Sequence, residues 1–428
     1  MPRYRLVLHT TILALSMRTG TGWSLTASDA AWVGSWASSP QLVEPQNRPP
    51  QPGLAGNTLR QFVRLTAGGE AIRLRLSNEF GTQPMTLASV HVALPVASTA
   101  QMVKGVPGSG AEGVIPATGE IQPQTDTEVK FGGTASVTVQ PGAFVLSDPV
   151  AFRVAPLSDL AVTLMVSKMP ESVTGHPGSR ATSFLAVGNA VSSASLADAV
   201  SFDHWYLLDG IDVLGSRRMG AAIALGDSIT DGRGSITNGN TRWADFLARR
   251  LNANEKAPEI GVLNEGIGGN CILHGGLGPT ALSRFDRDVL GQSGVRWVLV
   301  FEGVNDIGGA RALSDRDSST VGDAIILALQ QFILRAHEHG IRAYGATITP
   351  FGHSGYDSPP AEAERMKVNT WIRTSGKFDQ VLDFDKAVRD PQSPSSLDAA
   401  ADSGDHLHLN SEGYRRMAAA IDPVFFAP

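Results

Sequence analysis

Ser228 stands where a serine could act as a nucleophile. An apolar run, Ala221 to Leu225, stops abruptly at Gly226-Asp227-Ser228, and helical periodicity resumes at Trp243, Phe246, Leu247 and Leu251. That order reads as a buried strand, a tight turn and a helix downstream. A serine hydroxyl is a poor nucleophile until a base removes its proton. His408 can serve as that base in its neutral form. Asp405, three residues earlier, can hold the other ring nitrogen and stabilise the imidazolium that forms. His406 competes for the role, but its position two residues from His408 turns it to the opposite side of an extended segment. A metal site built from Asp405, His406 and His408 would lack further ligands. Acyl transfer also needs hydrogen-bond donors where negative charge develops, and other loops must supply them.

The chain that must position these groups has 428 residues, which suggests two domains. A formal net charge of -6, with no long run of Lys or Arg, argues against nucleic acid as a partner. The single cysteine, Cys271, excludes an intrachain disulfide. No apolar stretch is long enough for a transmembrane segment. Arg3 and Arg5 precede a mostly apolar stretch from Leu6 to Met17, and small residues follow at Ala27, Ala30 and Ala31. This is the pattern of a secretory signal peptide over residues 1–30, so the expected location is secreted or periplasmic.

From Trp32 to about Leu214 the pattern is that of strands. Arg60 to Leu65 and Ala71 to Leu76 alternate apolar and polar residues, with Gly68-Gly69 between them as a turn. Short runs follow at Ser89 to Leu94, Ala135 to Val139, Ala151 to Val154 and Leu160 to Val166. Ala37 to Asn57 and Lys104 to Thr127 read as irregular loops. Many short strands without a long amphipathic helix predict an all-β sandwich, of jelly-roll type, over residues 31–215. His91, His176 and His204 lack metal-ligand spacing and read as surface or hydrogen-bonded histidines. Trp32, Trp36 and Trp205 could form a sugar-stacking platform, but buried packing is the commoner fate of large aromatics.

After Gly215 strands alternate with helices. Strands are expected at Ala221–Leu225, Ile260–Leu263, Val295–Phe301, Ile341–Ile348 and Val381–Phe384, and helices at Thr241–Ala253, Val321–Glu338, Ala361–Ser375 and after Asn410-Ser411. This alternation implies an α/β domain over residues 216–428, a parallel sheet covered on both faces. Four short motifs fall in its loops: Gly226-Asp227-Ser228, the segment Asn264 to Asn270, Gly303-Val304-Asn305-Asp306, and Asp405-His406-Leu407-His408. Their residues and order resemble the SGNH hydrolase superfamily, also called GDSL esterases and lipases, in which Ser, Gly, Asn and His come in that sequence. The resemblance covers residues 216–428 and implies a flavodoxin-like three-layer α/β/α fold. It also implies a serine esterase with catalytic Ser228, Asp405 and His408, and an oxyanion hole made by the N–H groups of Ser228 and Gly269 and the Asn305 amide. Without a Cβ, Gly269 lets its N–H come close to a substrate oxygen, and the Asn305 amide donates without adding charge. Singly, Gly268-Gly269 would be an ordinary turn and Asn305-Asp306 a helix cap.

Asp227 and Asp306 read as braces that accept backbone N–H bonds. Cys271 lacks a nearby base and reads as a small buried residue. His337 and His339 diverge at a helix end, and His274 is a candidate for lining the cleft. No metal or organic cofactor is expected. The expected substrate is a small ester or acylated glycan, with acetyl or another short acyl group removed from carbohydrate. The alternatives are an arylesterase or lipase acting on short to medium chains, and a glycan-binding protein with a vestigial hydrolase domain.

Overall fold

A computed structural model describes residues 29–106, 110–253, 259–310 and 320–427. The expected signal segment lies outside them except for Asp29 and Ala30, and Ala30 already begins a paired strand, Ala30–Ala37. In the first half the described helical elements are two short 3₁₀ turns, Pro45–Asn47 and Pro123–Thr125; strands carry the rest. One antiparallel sheet has four strands, in the order Ala30–Ala37, Leu208–Ser216, Ile72–Ser77 and Phe144–Leu146. A second has seven, with Asn57–Arg64 and Asp159–Lys168 at its centre. This half is β-rich.

Gly68-Gly69 does not close a hairpin. The strands on either side, Asn57–Arg64 and Ile72–Ser77, belong to different sheets, so the chain crosses from one to the other there. Both present apolar residues to a shared core, Leu59 and Val63 from one and Ile72, Leu74 and Leu76 from the other. Two amphipathic strands joined by a glycine turn therefore look alike in sequence whether they pair or face each other. Ala151 to Val154 forms no strand, only an isolated bridge from Val154 to Gly69.

The second half is built on a parallel sheet ordered Ile260–Gly266, Gly220–Gly226, Val295–Phe301, Arg342–Ala346, Gln380–Leu382. In chain order this is 2-1-3-4-5. Its topological switch point flanks the first strand in chain order, Gly220–Gly226, and ligands bind such sheets at the carboxyl ends of the strands beside that point. This first strand is buried along its whole length, as its run of small apolar residues requires. Helices Val321–Glu338, Pro359–Thr374 and Ser411–Ala419 follow the expected periodicity.

One apolar core runs continuously through both halves. Hydrogen bonds also cross: Gly34 N–H donates to Ser293 O at 2.9 Å, and Val262 N–H donates to the Thr66 hydroxyl at 2.9 Å. Trp36 and Trp205 meet edge to face at 4.9 Å and are buried. One face of Trp205 stacks with His176 and the Arg242 guanidinium also lies over the ring, so these tryptophans pack the junction rather than present a platform. Among the described residues no helix is long and apolar enough to cross a membrane.

Candidate active site

The strand Gly220–Gly226 delivers Ser228 through a sharp turn. Asp227 caps the short helix Ser228–Asp231, its carboxylate accepting the Ile229 N–H at 2.9 Å. Burial, reinforced by the nearby Asp306, pushes the Asp227 carboxyl up to about 7. The Ser228 hydroxyl lies 2.8 Å from His408 Nε2, and His408 Nδ1 lies 2.7 Å from Asp405 Oδ2. Residues 180 positions apart thus form one hydrogen-bonded chain. Asp405 is held in turn by its other oxygen, which accepts the backbone N–H groups of His408 at 2.8 Å and Leu407 at 3.1 Å. The three-residue spacing makes this possible: the loop folds back so that one carboxylate binds both the imidazole and its own backbone.

The electrostatics suit proton transfer. Burial lowers the His408 pKa below its ordinary value, with Asp405 opposing the shift, so the imidazole is neutral and able to accept a proton near neutral pH. Burial alone would raise the Asp405 carboxyl, but its bonds to His408 and to the backbone hold it well below the usual carboxylate range. His406 is half exposed, points elsewhere and pairs with Asp402 at 2.7 Å.

The second and third loops are tied together at the same end of the sheet. Gly269 has φ +70°, a left-handed conformation that glycine adopts at little cost. Its N–H meets no hydrogen-bond acceptor among the described residues. Asn305 lies in the first turn of the helix Val304–Ala310 and is buried, with Nδ2 donating to the Asn270 carbonyl at 2.8 Å. Asp306 accepts the N–H groups of Ile272 at 2.8 Å and Leu273 at 3.0 Å, bracing one loop on the other. The arrangement of Ser228, His408 and Asp405 can activate a hydroxyl.

Other titratable groups serve structure. Burial, with Asp306 and Glu302 adding, pushes the Cys271 thiol up to about 12, so it is no nucleophile. His91 pairs with Asp126, His204 with the Pro177 carbonyl and His337 with Asp379. His339 bonds the Arg335 carbonyl, and His274 is exposed on its loop. Among the described residues no cluster has the ligands of a metal site. His176 is more than a satisfied histidine. It reaches from the β-rich half to Asp231, at the end of the helix that Ser228 opens, at 2.9 Å.

Sequence reasoning missed the groups behind the loops. The segment Ala281–Leu290, an α-helical turn continued as a π-helix, carries the buried Arg284. Its guanidinium donates to the carbonyls of Gly226 and Glu265, to Asn270 Oδ1 and to Asp288 and Glu302. Apart from Asp288, which lies on the same helical segment, these acceptors sit at or shortly after the ends of the three strands whose loops carry Ser228, Gly269 and Asn305. The apolar spacing of Ala281, Phe285 and Val289 could have signalled the helix. Nothing in the sequence marks its arginine as buried.

With the geometry in place, the region that carries it can be set beside known proteins. Residues 224–416 match the model described as GDSL-like Lipase/Acylhydrolase family. This region is a GDSL-like hydrolase domain. The protein is accordingly an ester hydrolase. Among solved structures, it is similar to a carbohydrate acetylesterase family member from Sinorhizobium meliloti, with 15% identity, 48% of this chain and 97% of that chain covered, and a TM-score of 0.36. It is also similar to a mutant of an acetyl-xylooligosaccharide esterase from Geobacillus Stearmophilus, with 19% identity, coverage of 47% and 91%, and a TM-score of 0.35. A GDSL-like lipase from Bacteroides thetaiotaomicron VPI-5482 matches at 17% identity, coverage of 48% and 85%, and a TM-score of 0.34. No curated protein matches the chain.

Proposed function

We propose that this GDSL-like hydrolase cleaves carboxylic esters through an acyl-serine intermediate, removing acetyl or another short acyl group from carbohydrate. The observation that carries the mechanism is the unbroken chain from Ser228 through His408 to Asp405. His408 takes the hydroxyl proton as Ser228 attacks the ester carbonyl, then returns it to the departing alcohol. The N–H groups of Ser228 and Gly269 and the Asn305 amide receive the charge on the substrate oxygen. Water repeats the cycle in reverse and frees the acid. Support for a short acyl group is local: Leu277 is exposed and lies against Gly269, while the sequence offers no long apolar lid. In this reading residues 216–428 form a three-layer α/β/α catalytic domain. Residues 31–215 form a jelly-roll-like sandwich after an exported leader, supported by the parallel and antiparallel sheets on either side of Ser216.

Two measurements test this. A fluorophosphonate probe should label the peptide containing Ser228, because only an activated serine reacts; a folded protein that resists labelling would overturn the mechanism. Acetyl nitrophenyl esters should be turned over faster than octanoyl ones, and acetylated xylan should release acetate. Preference for octanoyl would replace the short-acyl reading with a lipase-like one.

The pH profile provides a further check. His408 must be neutral to accept the proton, so kcat/KM falls as pH drops through its pKa. Burial places that acid limb below the ordinary histidine value of about 6.5. Asp405→Asn removes the group that raises the His408 pKa, so the limb should move to still lower pH while the plateau drops by about 10⁴, the loss typical of a mispositioned triad histidine. A limb that stays in place, or moves upward, would break the assignment of Asp405.

A further inference from the structure

We propose that Tyr356 is a positioning residue for the oxyanion hole, holding and polarising the Asn305 amide. The inference rests on the reading of Asn305 as an oxyanion donor. An amide side chain carries one acceptor oxygen and two N–H donors. In Asn305 the oxygen accepts the Tyr356 hydroxyl at 2.9 Å, and one N–H donates to the Asn270 carbonyl at 2.8 Å. A carbonyl can only accept, so Asn270 decides which end of the amide is nitrogen. The second N–H is the one left for a substrate oxygen. Tyr356 acts at the opposite end. Its bond draws electron density toward the amide oxygen and makes the N–H groups better donors, the cooperative strengthening expected in a hydrogen-bonded chain. With both ends engaged, the donor is also aligned before substrate arrives, which is what makes an oxyanion hole effective.

A steric observation points the same way. Gly308 lies one turn after Asn305 on the helix Val304–Ala310, and a Cβ there would come within 2.4 Å of the Tyr356 ring. Glycine is a poor helix former, yet here its bare backbone is the seat on which the ring rests. Tyr356 comes from the loop after the fourth parallel strand, outside the four motifs that suggested the active site. That loop therefore contributes to the hole through its contact with the third motif.

The test is a double-mutant cycle with kcat and KM measured for a short nitrophenyl ester. Tyr356→Phe keeps the ring and deletes the hydroxyl, and should lower kcat roughly 3–10-fold, the worth of one hydrogen bond, with KM unchanged. Asn305→Ala should lower kcat by about 10²–10³. Adding Tyr356→Phe to Asn305→Ala should change kcat less than about 2-fold, because the amide through which Tyr356 acts is gone. Equal losses in both backgrounds, or an effect on KM alone, would overturn the proposal. A large Asn305 effect beside an inert Tyr356→Phe would remove Tyr356 and leave the oxyanion reading intact. Full turnover in Asn305→Ala would remove Asn305 from the hole, and the proposal with it.

Discussion

Ser228→Ala is expected to lower kcat for ester hydrolysis by about 10⁶, the scale of loss when a triad nucleophile is deleted, while leaving the protein folded. The two halves of this expectation have separate causes. The hydroxyl is the atom that would become acylated, so without it no acyl-enzyme can form. What remains is the pull of the oxyanion donors on a substrate attacked directly by water, a residual of about 10³–10⁴ over the uncatalysed rate. Structurally the hydroxyl has one side-chain partner, His408 Nε2. Losing that bond should cost about 1 kcal/mol. The strand and turn that hold residue 228 depend on backbone pairing and on the Asp227 cap, both untouched. Turnover of synthetic ester, fluorophosphonate labelling and the thermal midpoint should be read on the same preparation. Substantial turnover in a folded Ser228→Ala protein would defeat the acyl-serine mechanism.

The parallel sheet was legible because its strands obey a simple rule. A strand buried on both faces must be apolar, and Trp297 to Phe301 meets that condition at the buried end of the strand Val295–Phe301, whose start carries the half-buried Arg296. The helix Val321–Glu338 was equally plain, its stripe of Ile325, Leu329 and Phe332 recurring at helical spacing before the stop at Gly340. The β-rich half resisted in one respect. Alternation identifies strands such as Asn57–Arg64 and Ile72–Ser77, but it does not say which edges pair. That choice depends on contacts between residues distant in sequence, and here it sends neighbouring strands into different sheets.

The site divides in the same way. Ser228, Asp405 and His408 could be named because acyl transfer restricts which residue types can serve, and because the turn chemistry around them is local. The supporting residues are ordinary in type. Tyr356 is a tyrosine on a glycine-rich loop, and only its distance to Asn305 singles it out. His176 carries no spacing signal, because its partner Asp231 lies 55 residues away in the other half of the chain. A charged residue in a polar segment reads as solvent-exposed, which is why Arg284 was invisible until its partners could be counted in space.

Arg284→Met should therefore have a stability effect as large, in its own measure, as the loss of Ser228 has on rate. The arginine side chain is fully buried and satisfies two backbone carbonyls, the Asn270 side chain and two carboxylates. Methionine fills similar volume but donates nothing. Removing one member of a buried ion pair costs about 3–5 kcal/mol, out of a total stability of roughly 5–15 kcal/mol for an ordinary domain. A fall of roughly 6–20 °C in the thermal midpoint follows. The loss should also depend on pH. Burial raises the Glu302 carboxyl well above its ordinary range, with Arg284 opposing, while the Asp288 carboxyl is held low by Arg287 and Arg284 against the effect of burial. Without Arg284 both pKa values rise in the folded state. A carboxyl whose folded pKa lies above its unfolded value contributes stability at low pH and loses it as pH climbs through the folded pKa. The gap between wild type and variant should thus widen as pH rises, which midpoints read at one acidic and one alkaline pH would show. Arg284→Lys keeps the charge but cannot span five acceptors, and should fall between the two. A Met variant with an unshifted midpoint at both pH values would show that the strand ends hold the active-site loops without the arginine.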